Sequence, residues 1–305
     1  MTPFDMISKI YPQPEYIFTM NLVSARIGVK YMPASKTISL NNGDTEQLYE
    51  TFMNHLDDLK GVYESLIDET SRRTFCGYWL GRITNRFSEF VFANNSQYLS
   101  EGFIPEPGST VIDCGACDGS TAIKFMNIGY KVYGFEMDRK NFELAKKVAD
   151  DKGFVVENLS LGSFRHEMRY NPSGGSGNAW NAGGSEITQV VTLDAYVREN
   201  KIPRVDFIKL DVEGAELDIL KGARTCIARW KPILAISAYH KPDDFWVLMN
   251  FIKSVQPDYE FAMRPGTETR EDEPRNVSPE LENFLYSLGL EPEIRFFWEC
   301  VLFAR

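Results

Sequence analysis

The stretch that decides the fold is Val111-Ile-Asp-Cys-Gly-Ala-Cys-Asp-Gly-Ser-Thr121. It begins as a short apolar run, passes through an Asp-x-Gly-x-x-x-Gly pattern and leads into an amphipathic segment. Gly115 and Gly119 lack side chains, so the chain can turn sharply there and bring backbone amides close to a ligand at a helix start. The pattern predicts a strand, a nucleotide-type loop and a helix.

The acidic residue that leads this loop, Asp113, bears on the ligand. A dinucleotide fold more often shows Gly-x-Gly-x-x-Gly, which seats a pyrophosphate. A carboxylate at the strand end instead suits a ligand with a cationic group, and the amino group and sulfonium of S-adenosylmethionine supply positive charge. We therefore expect S-adenosylmethionine as the cofactor.

The hydrophobic pattern of the chain changes near residue 103. Beyond it, short apolar runs alternate with amphipathic helices, which is typical of a mainly parallel sheet with helices on both faces. Before it, apolar residues recur at helical spacing over 45–59 and 63–92. We expect a helical extension or cap at 1–102 and an α/β domain at 103–305. Its seven predicted strands cover 110–113, 131–136, 154–157, 206–211, 233–237, 259–263 and 299–304.

Helices fill the gaps between these strands. We expect them over 121–128, 140–149 and 215–221, with Gly129 and Gly222 as left-handed caps after the first and the last. The stretch 171–185 is rich in Gly, Ser and Asn and predicts a mobile loop. It is either a plain connector or a lid whose Trp180 stacks on a ligand.

Two further strand ends bear on the cofactor. Glu136 ends the second strand of the domain, where a doubly wound fold places an acid that accepts hydrogen bonds from both ribose hydroxyls. Asn158 and Leu159 follow the third strand and are placed to line the adenine, although a structural turn explains them equally well. Met137 directly follows Glu136 and is included with these cofactor-binding residues.

Composition limits the partners. The chain has 305 residues, with 33 Lys and Arg against 43 Asp and Glu, for a net charge of -10. Such a surface repels phosphate backbones and anionic lipid, so we expect no nucleic-acid or membrane partner. The N-terminus has neither a basic start nor an apolar run, and no apolar stretch is long enough to span a bilayer. We expect a cytoplasmic protein.

The five cysteines do not predict a cysteine-based site. Their number is odd and their spacing scattered, so reduced thiols are expected. Cys114 and Cys117 form a C-x-x-C, but no second pair with ligand spacing exists for a zinc site. Both lie in the glycine loop, where we interpret them as small residues.

A second motif makes a family resemblance specific. Val205-Asp-Phe-Ile-Lys-Leu-Asp-Val-Glu-Gly-Ala-Glu-Leu-Asp-Ile-Leu-Lys-Gly-Ala223 contains a Lys-x-Asp-x-Glu-Gly-x-Glu run. With the glycine loop, it resembles the FkbM family of S-adenosylmethionine-dependent methyltransferases, over about 103–305 and also at 67–75 and 95–98. The resemblance implies a seven-stranded, Rossmann-like class I methyltransferase sheet, with the cofactor over the ends of its first three strands. Tyr98 is assigned to the cofactor site.

The resemblance also implies roles near the reacting methyl group. Asp211 and Glu213 would face it, Tyr239 and His240 would border the acceptor, and the reaction would be O-methylation of a sugar or secondary metabolite. Many relatives have histidine after the arginine of the sixth strand, whereas this chain has Arg264-Pro265. A role for that histidine is therefore lost.

Residue chemistry separates the catalytic candidates only partly. An alcohol must lose its proton as it is methylated, and His240 is the natural base because, of three histidines, only this one ends a core strand. With an unperturbed pKa of about 6.5 it would be mostly neutral in the cytoplasm. It could also merely pack or orient, and Asp211 could be the base, a cofactor contact or a metal ligand. Glu213 and Glu216 suit a helix start, and Lys209 is interpreted as solvated or helix-covering.

The sequence is also compatible with two other functions. One is methylation of a peptide or protein side chain, and the other is a non-catalytic sensor that binds S-adenosylmethionine without turnover. No recognisable set of metal ligands converges, so we predict no metal. The predicted catalytic residues are His240 and Asp211, and the predicted cofactor-binding residues are Asp113, Gly115, Ala116, Cys117, Asp118, Gly119, Ser120, Thr121, Glu136, Met137, Asn158, Leu159 and Tyr98.

Overall fold

The structure, a computed structural model, describes residues 29–32, 37–40, 51–84, 97–172, 183–266 and 299–305. The chain divides into two compact units, Met1–Ser100 with Ala262–Val301 and Glu101–Phe261 with Leu302–Arg305. The boundary near residue 102 stays a prediction.

The strands are β1 Val29–Met32, β2 Thr37–Leu40, β3 Thr110–Cys114, β4 Lys131–Phe135, β5 Val155–Glu157, β6 Ser160–Leu161, β7 His166–Tyr170, β8 Glu186–Val191, β9 Phe207–Leu210, β10 Ile233–Ser237, β11 Phe261–Pro265 and β12 Cys300–Ala304. The helices are α1 Leu56–Ser65, α2 Glu69–Thr84, α3 Ser120–Asn127, α4 Arg139–Lys152, α5 Leu193–Glu199, α6 Glu216–Gly222, α7 Arg224–Trp230 and α8 Asp244–Val255.

A seven-stranded sheet organises the described residues, in the order β11-β12-β10-β9-β3-β4-β5. The pairs β10–β9, β9–β3, β3–β4 and β4–β5 are parallel. Glu260 and Arg305 exchange both backbone hydrogen bonds, at 2.8 and 3.1 Å, which is the antiparallel pattern. The sheet is therefore mixed, and the seven predicted strands are confirmed.

The central strands explain where a ligand can bind. Every residue of β3 and of β9 is buried, as expected for parallel strands covered on both faces. From β3 the chain proceeds outward through β4 and β5 and then returns to β9 on the other side of β3. This reversal creates a crevice outside the carboxyl ends of β3 and β9, the usual ligand position in an open α/β sheet.

A second sheet of three strands, in the order β6-β8-β7, was not foreseen from the sequence. Strand β6 is parallel to β8, and β7 is antiparallel to β8. Strand β6 is only two residues long and β7 has a polar sequence, His-Glu-Met-Arg-Tyr, so neither produces an apolar run. This sheet supplies one side of the cleft described below.

The three helices predicted for the α/β unit agree with α3, α4 and α6 to within a few residues, whereas α5, α7 and α8 were not predicted. Gly129 has the expected positive φ, 95°. The expectation for Gly222 is wrong, because this glycine closes α6 without a positive φ. A Cβ atom there would lie 2.0 Å from the carbonyl oxygen of Gly162, so the residue is required by close packing of two backbones.

Among the described residues of the first unit, the break between α1 and α2 falls at 66–68, inside the predicted helical stretch 63–92, and not between the predicted stretches 45–59 and 63–92. Asp68 separates α1 from α2, because its carboxylate accepts a hydrogen bond from the Ser71 amide at 2.7 Å and so caps the second helix. The guanidinium of Arg264 donates to the same carboxylate at 2.7 Å and to the Ser100 hydroxyl at 3.2 Å. Strands β1 and β2 form an antiparallel pair.

The predicted lid or connector falls partly outside the described residues. Residues 173–182, which include Trp180, lie outside them, so the predicted lid or connector stays a prediction. Within the described ranges, no helix has the length and apolar character needed to cross a bilayer. The five cysteines, all within the described ranges, form no disulfide bond with one another.

Candidate active site

The glycine loop between β3 and α3 is shaped by backbone contacts. Gly115 and Gly119 have φ values of 79° and 86°, in the left-handed region. The amides of Gly115 and Ala116 both donate to the carbonyl of Phe135, at 2.9 and 3.0 Å. A Cβ atom on Gly115 would lie 2.0 Å from the carbonyl oxygen of Asp211, so only glycine fits where the loop crosses the end of β9.

Asp113 lies beneath this loop rather than at its surface. It is fully buried, and its Oδ1 is 3.0 Å from Nζ of Lys209, which is 2% exposed. The parallel register places these residues opposite each other on β3 and β9. Lys209 also donates to the carbonyls of Cys114 and Gly115, at 3.2 and 2.7 Å. The interpretation of Lys209 as a solvated or helix-covering residue is therefore wrong.

The buried pair stabilises the loop from below. Burial opposes the charged form of Lys209, but the adjacent Asp113 carboxylate outweighs it and raises the pKa of Lys209. An ammonium group with three oxygen partners ties the end of β3 to the middle of β9. A direct contact between Asp113 and the cofactor stays a prediction.

Glu136 has the environment expected of a ligand-binding acid. It follows β4 and lines the cleft, and its two carboxylate oxygens accept the backbone amides of Cys117 and Asp138, each at 2.8 Å. Burial raises the pKa of Glu136 to about 7, although those two amides pull it downward. The carboxylate is held in one orientation and retains lone pairs for further donors.

The residues that follow β5 mainly hold the chain around Glu136 in place. The side-chain amide of Asn158 donates to the carbonyls of Glu136 and Met137, at 2.9 and 3.1 Å. Leu159 and Met137 line the cleft. For Asn158 the structural turn, which the sequence left open, accounts for the observed contacts.

A cluster of four ionisable side chains lies at the ends of β9 and β10; we call Asp211, Glu213, Glu216 and His240 the acid cluster. Nδ1 of His240 is 2.7 Å from Oε1 of Glu216, which is fully buried. Nε2 of His240 lies 3.5 Å from Oδ1 of Asp211 and 3.6 Å from Oε2 of Glu213. One imidazole thus contacts three carboxylates.

This arrangement changes the protonation state expected for His240. Burial alone would lower its pKa, but the hydrogen bond and charge of Glu216, with the charges of Asp211 and Glu213, raise the pKa of His240 to about 9. At neutral pH the ring is therefore an imidazolium, and the expectation of a mostly neutral imidazole is wrong. A ring that already holds both protons cannot accept another.

Glu216 also shapes the turn before its helix. Its Oε1 accepts the amides of Val212 and Gly214, at 3.1 and 3.3 Å, as well as the imidazolium. Glu213 has a φ of 54°, which is uncommon for a residue with a side chain. Burial raises the pKa of Glu213, while the charge of His240 lowers it. The acidic turn is thus held by its own buried glutamate.

The glycine loop, Glu136 and two members of the acid cluster border one cleft of about 760 Å³, which lies within the α/β unit. Ligand sites commonly measure about 300–1,000 Å³. The cleft extends past the cofactor-type residues to the second sheet and to the start of α6. Its lining includes Gly115, Cys117, Glu136, Met137, Leu159, Leu161, Phe164, Met168, Asp211, Glu213, Asp218 and Lys241.

The remaining predicted site residues are not among those that line the cleft. Asp118 accepts the Ser120 amide at 3.0 Å, so it helps to start α3, and Ala116 is buried. Gly119 is the N-cap of α3, and Thr121 is in its first turn. Tyr98 belongs to the other unit and is buried. Cofactor contacts of these residues stay predictions.

Sequence reasoning missed Lys209 and undervalued Glu216. A signal for Lys209 was present, since a lysine inside the apolar run Phe-Ile-Lys-Leu of a strand buried on both faces requires a partner. For Glu216 the sequence showed only an acid in a first helical turn, which the helix dipole already favours. Its pairing with His240 joins the start of α6 to a residue 24 positions further along the chain.

Comparisons with known proteins agree with this geometry. A model of the methyltransferase FkbM domain matches residues 113–264. The solved methyltransferase FkbM from Methylobacillus flagellatus KT superposes with a TM-score of 0.64 at 21% identity, covering 84% of this chain and 60% of that chain. The chain thus spans three fifths of that protein's length. No curated protein matches the chain.

Two other solved structures superpose more loosely. A precorrin-6y C5,15-methyltransferase from Geobacter metallireducens GS-15 has a TM-score of 0.39 at 11% identity, covering 70% of this chain and 93% of that one. A putative rRNA-methylase from Clostridium thermocellum has a TM-score of 0.36 at 10% identity, covering 66% and 87%.

The observed sheet and the superposition on the Methylobacillus flagellatus structure confirm the expected class I methyltransferase fold with N-terminal helices. The residues that match the domain model run from Asp113 in the glycine loop to Arg264 on β11, and they include Glu136 and the whole acid cluster. This chain belongs to the methyltransferase FkbM family.

Proposed function

We propose that this chain is an S-adenosylmethionine-dependent methyltransferase that methylates a hydroxyl group of a sugar or another small metabolite. The observation that supports it most is that the same cleft is bordered by the glycine loop with Glu136 and by Asp211 with Glu213. One part of the cleft suits a nucleoside and the adjoining part suits an acceptor that must lose a proton.

The residues present fit the cofactor. Glu136 offers carboxylate oxygens to ribose hydroxyls, and the apolar side chains of Met137 and Leu159 suit an adenine face. S-adenosylmethionine, when bound, supplies a methyl group on a positively charged sulfur, which leaves as a neutral thioether. The loop at Gly115 to Gly119 lets the backbone approach such a ligand closely.

The acceptor side of the reaction depends on the acid cluster. As the new C–O bond forms, the hydroxyl proton must pass to a nearby base, and we assign this role to the Asp211 carboxylate. His240 acts as a positioning residue, because its Nε2 lies 3.5 Å from Asp211 and 3.6 Å from Glu213, and its charge lowers the pKa of Glu213. A positioned base typically contributes about 10² to 10⁴ in rate.

The pH profile of the wild-type rate separates two assignments of the base. If His240 must stay protonated, kcat falls as the pH rises through about 9. If His240 is itself the base, as the sequence suggested, kcat rises through the same pH. Asp211→Asn should reduce kcat by at least 100-fold in the first case, with the affinity for S-adenosylhomocysteine unchanged.

The function itself is tested by binding and turnover. Calorimetry should show that S-adenosylmethionine binds, and incubation of the labelled donor with whole host extract should yield a labelled small-molecule product and S-adenosylhomocysteine. Binding without product from any fraction would favour the sensor. Label that enters only the protein fraction would favour a peptide or protein acceptor.

A further inference from the structure

The part of the cleft beyond the cofactor residues has two distinct sides. The first, here called the apolar wall, consists of Leu161, Phe164, Met168 and Val190 on and beside the second sheet. The second, called the acid wall, consists of Asp211, Glu213 and Asp218 at the end of β9 and the start of α6. An acceptor that reaches Asp211 would contact both.

Phe164 is the most exposed large apolar side chain among the described residues, at 61% of its surface. His166 stacks on it, with ring centroids 4.3 Å apart and planes at 26°, and its Nδ1 donates to the Phe164 carbonyl at 3.1 Å. Both rings line the cleft. An aromatic face that is held in place and left open to a cleft is suited to stacking on a ligand ring.

The charges of the cleft restrict what else the ligand can carry. Five carboxylates line it, Glu136, Glu167, Asp211, Glu213 and Asp218, against one lysine. That lysine, Lys241, donates to the carbonyl of Gly214. The residues described as lining the cleft include no arginine. A phosphate or carboxylate would meet like charges, whereas a neutral or cationic group would not.

We propose that the acceptor is an uncharged or cationic ring compound that stacks an apolar ring face on Phe164, and that the acid wall excludes phosphorylated acceptors. This proposal rests on the proposed function and adds the class of acceptor. Phe164 and Met168 become specificity residues. The discrimination is electrostatic and therefore weakens as salt increases.

The test uses phenyl β-D-glucopyranoside and its 6-phosphate, titrated by calorimetry into the protein saturated with S-adenosylhomocysteine. The neutral probe should bind at least about tenfold more tightly at low salt, because two like charges in a shared cleft repel. Glu213→Gln combined with Asp218→Asn should narrow that ratio. Phe164→Ala should weaken the neutral probe about three- to tenfold, and Phe164→Leu less.

A matched control is Ile187→Ala on β8, which removes an apolar side chain of 51% exposure that is not part of the cleft lining. This substitution should leave the affinities for both probes and for S-adenosylhomocysteine unchanged. The proposal would be overturned if the 6-phosphate bound as tightly as the neutral probe or more tightly. It would also be overturned if the neutral probe did not bind at millimolar concentration, or if Phe164→Ala and Ile187→Ala had equal effects. A loss of S-adenosylhomocysteine affinity in Phe164→Ala would overturn it too, since the apolar wall would then be part of the cofactor site. Failure of S-adenosylhomocysteine to bind the wild type would instead remove the proposed function itself.

Discussion

Two acid-bearing regions of the cleft are held in different ways. Glu136 is fixed by backbone amides of Cys117 and Asp138, which the fold itself places. His240 and its three carboxylates are instead held by side-chain charges. The cofactor region is therefore organised mainly by the main chain, and the acceptor region by ionisation. We expect the first to be sensitive to backbone geometry and the second to pH and charge.

The largest effect should come from Gly115→Ala. The new Cβ would overlap the Asp211 carbonyl at 2.0 Å and force an unfavourable φ, so the loop must move. We expect loss of S-adenosylhomocysteine affinity of at least about 100-fold, measured by calorimetry, together with a lower thermal midpoint. Gly153→Ala is the control, because its φ is 85° and nothing lies within 4 Å of the added atom. Similar behaviour of the two variants would show that φ strain, not the clash, is responsible.

Replacement of His240 should come next. His240→Ala removes the cation that faces three carboxylates, and the pKa of Glu213 should rise because the charge of His240 no longer lowers it. We expect kcat to fall by at least about 100-fold, the decline of kcat above about pH 9 to disappear, and S-adenosylhomocysteine affinity to stay unchanged. His240→Gln keeps a hydrogen-bonding group without the charge and should behave similarly. A Gln variant near the wild-type rate would show that orientation, not charge, is what His240 supplies.

Glu136→Ala should have a smaller effect, confined to binding. Loss of a net hydrogen bond to a charged acceptor, about 1.5 to 3 kcal/mol, predicts at least about tenfold weaker S-adenosylmethionine binding. Because the pKa of Glu136 is raised to about 7, and ribose hydroxyls donate to the ionised form, wild-type affinity should fall as the pH drops below 7. Glu136→Gln should abolish that dependence. Calorimetry from pH 5 to 8 measures both, and unchanged affinity in the Ala variant would remove Glu136 from the ribose site.

The smallest effect should follow chelation. Among the described residues, no group of three or more His, Cys, Asp or Glu side chains is arranged to hold a metal ion. We therefore expect turnover to be unchanged in EDTA. Loss of activity that Mg²⁺ restores would contradict this and make Asp211 a metal ligand.

Sequence reasoning succeeded where one local pattern decides the outcome. The seven strands follow from buried apolar runs, and Gly129 has the conformation its position after a helix implies. It failed where two distant segments meet. Gly222 was expected to cap a helix, but its role is set by the carbonyl of Gly162, 60 residues earlier along the chain.

The same distinction applies to the candidate site. The sequence by itself determined the order of strands and loops, and with it the presence of Asp113, Glu136, Asp211 and His240 at strand ends, because periodicity and glycine spacing are local properties. Only the tertiary structure decided that Asp113 pairs with Lys209 and that His240 is charged. A pKa depends on burial and on charges a few ångströms away in space, and the sequence does not specify those distances.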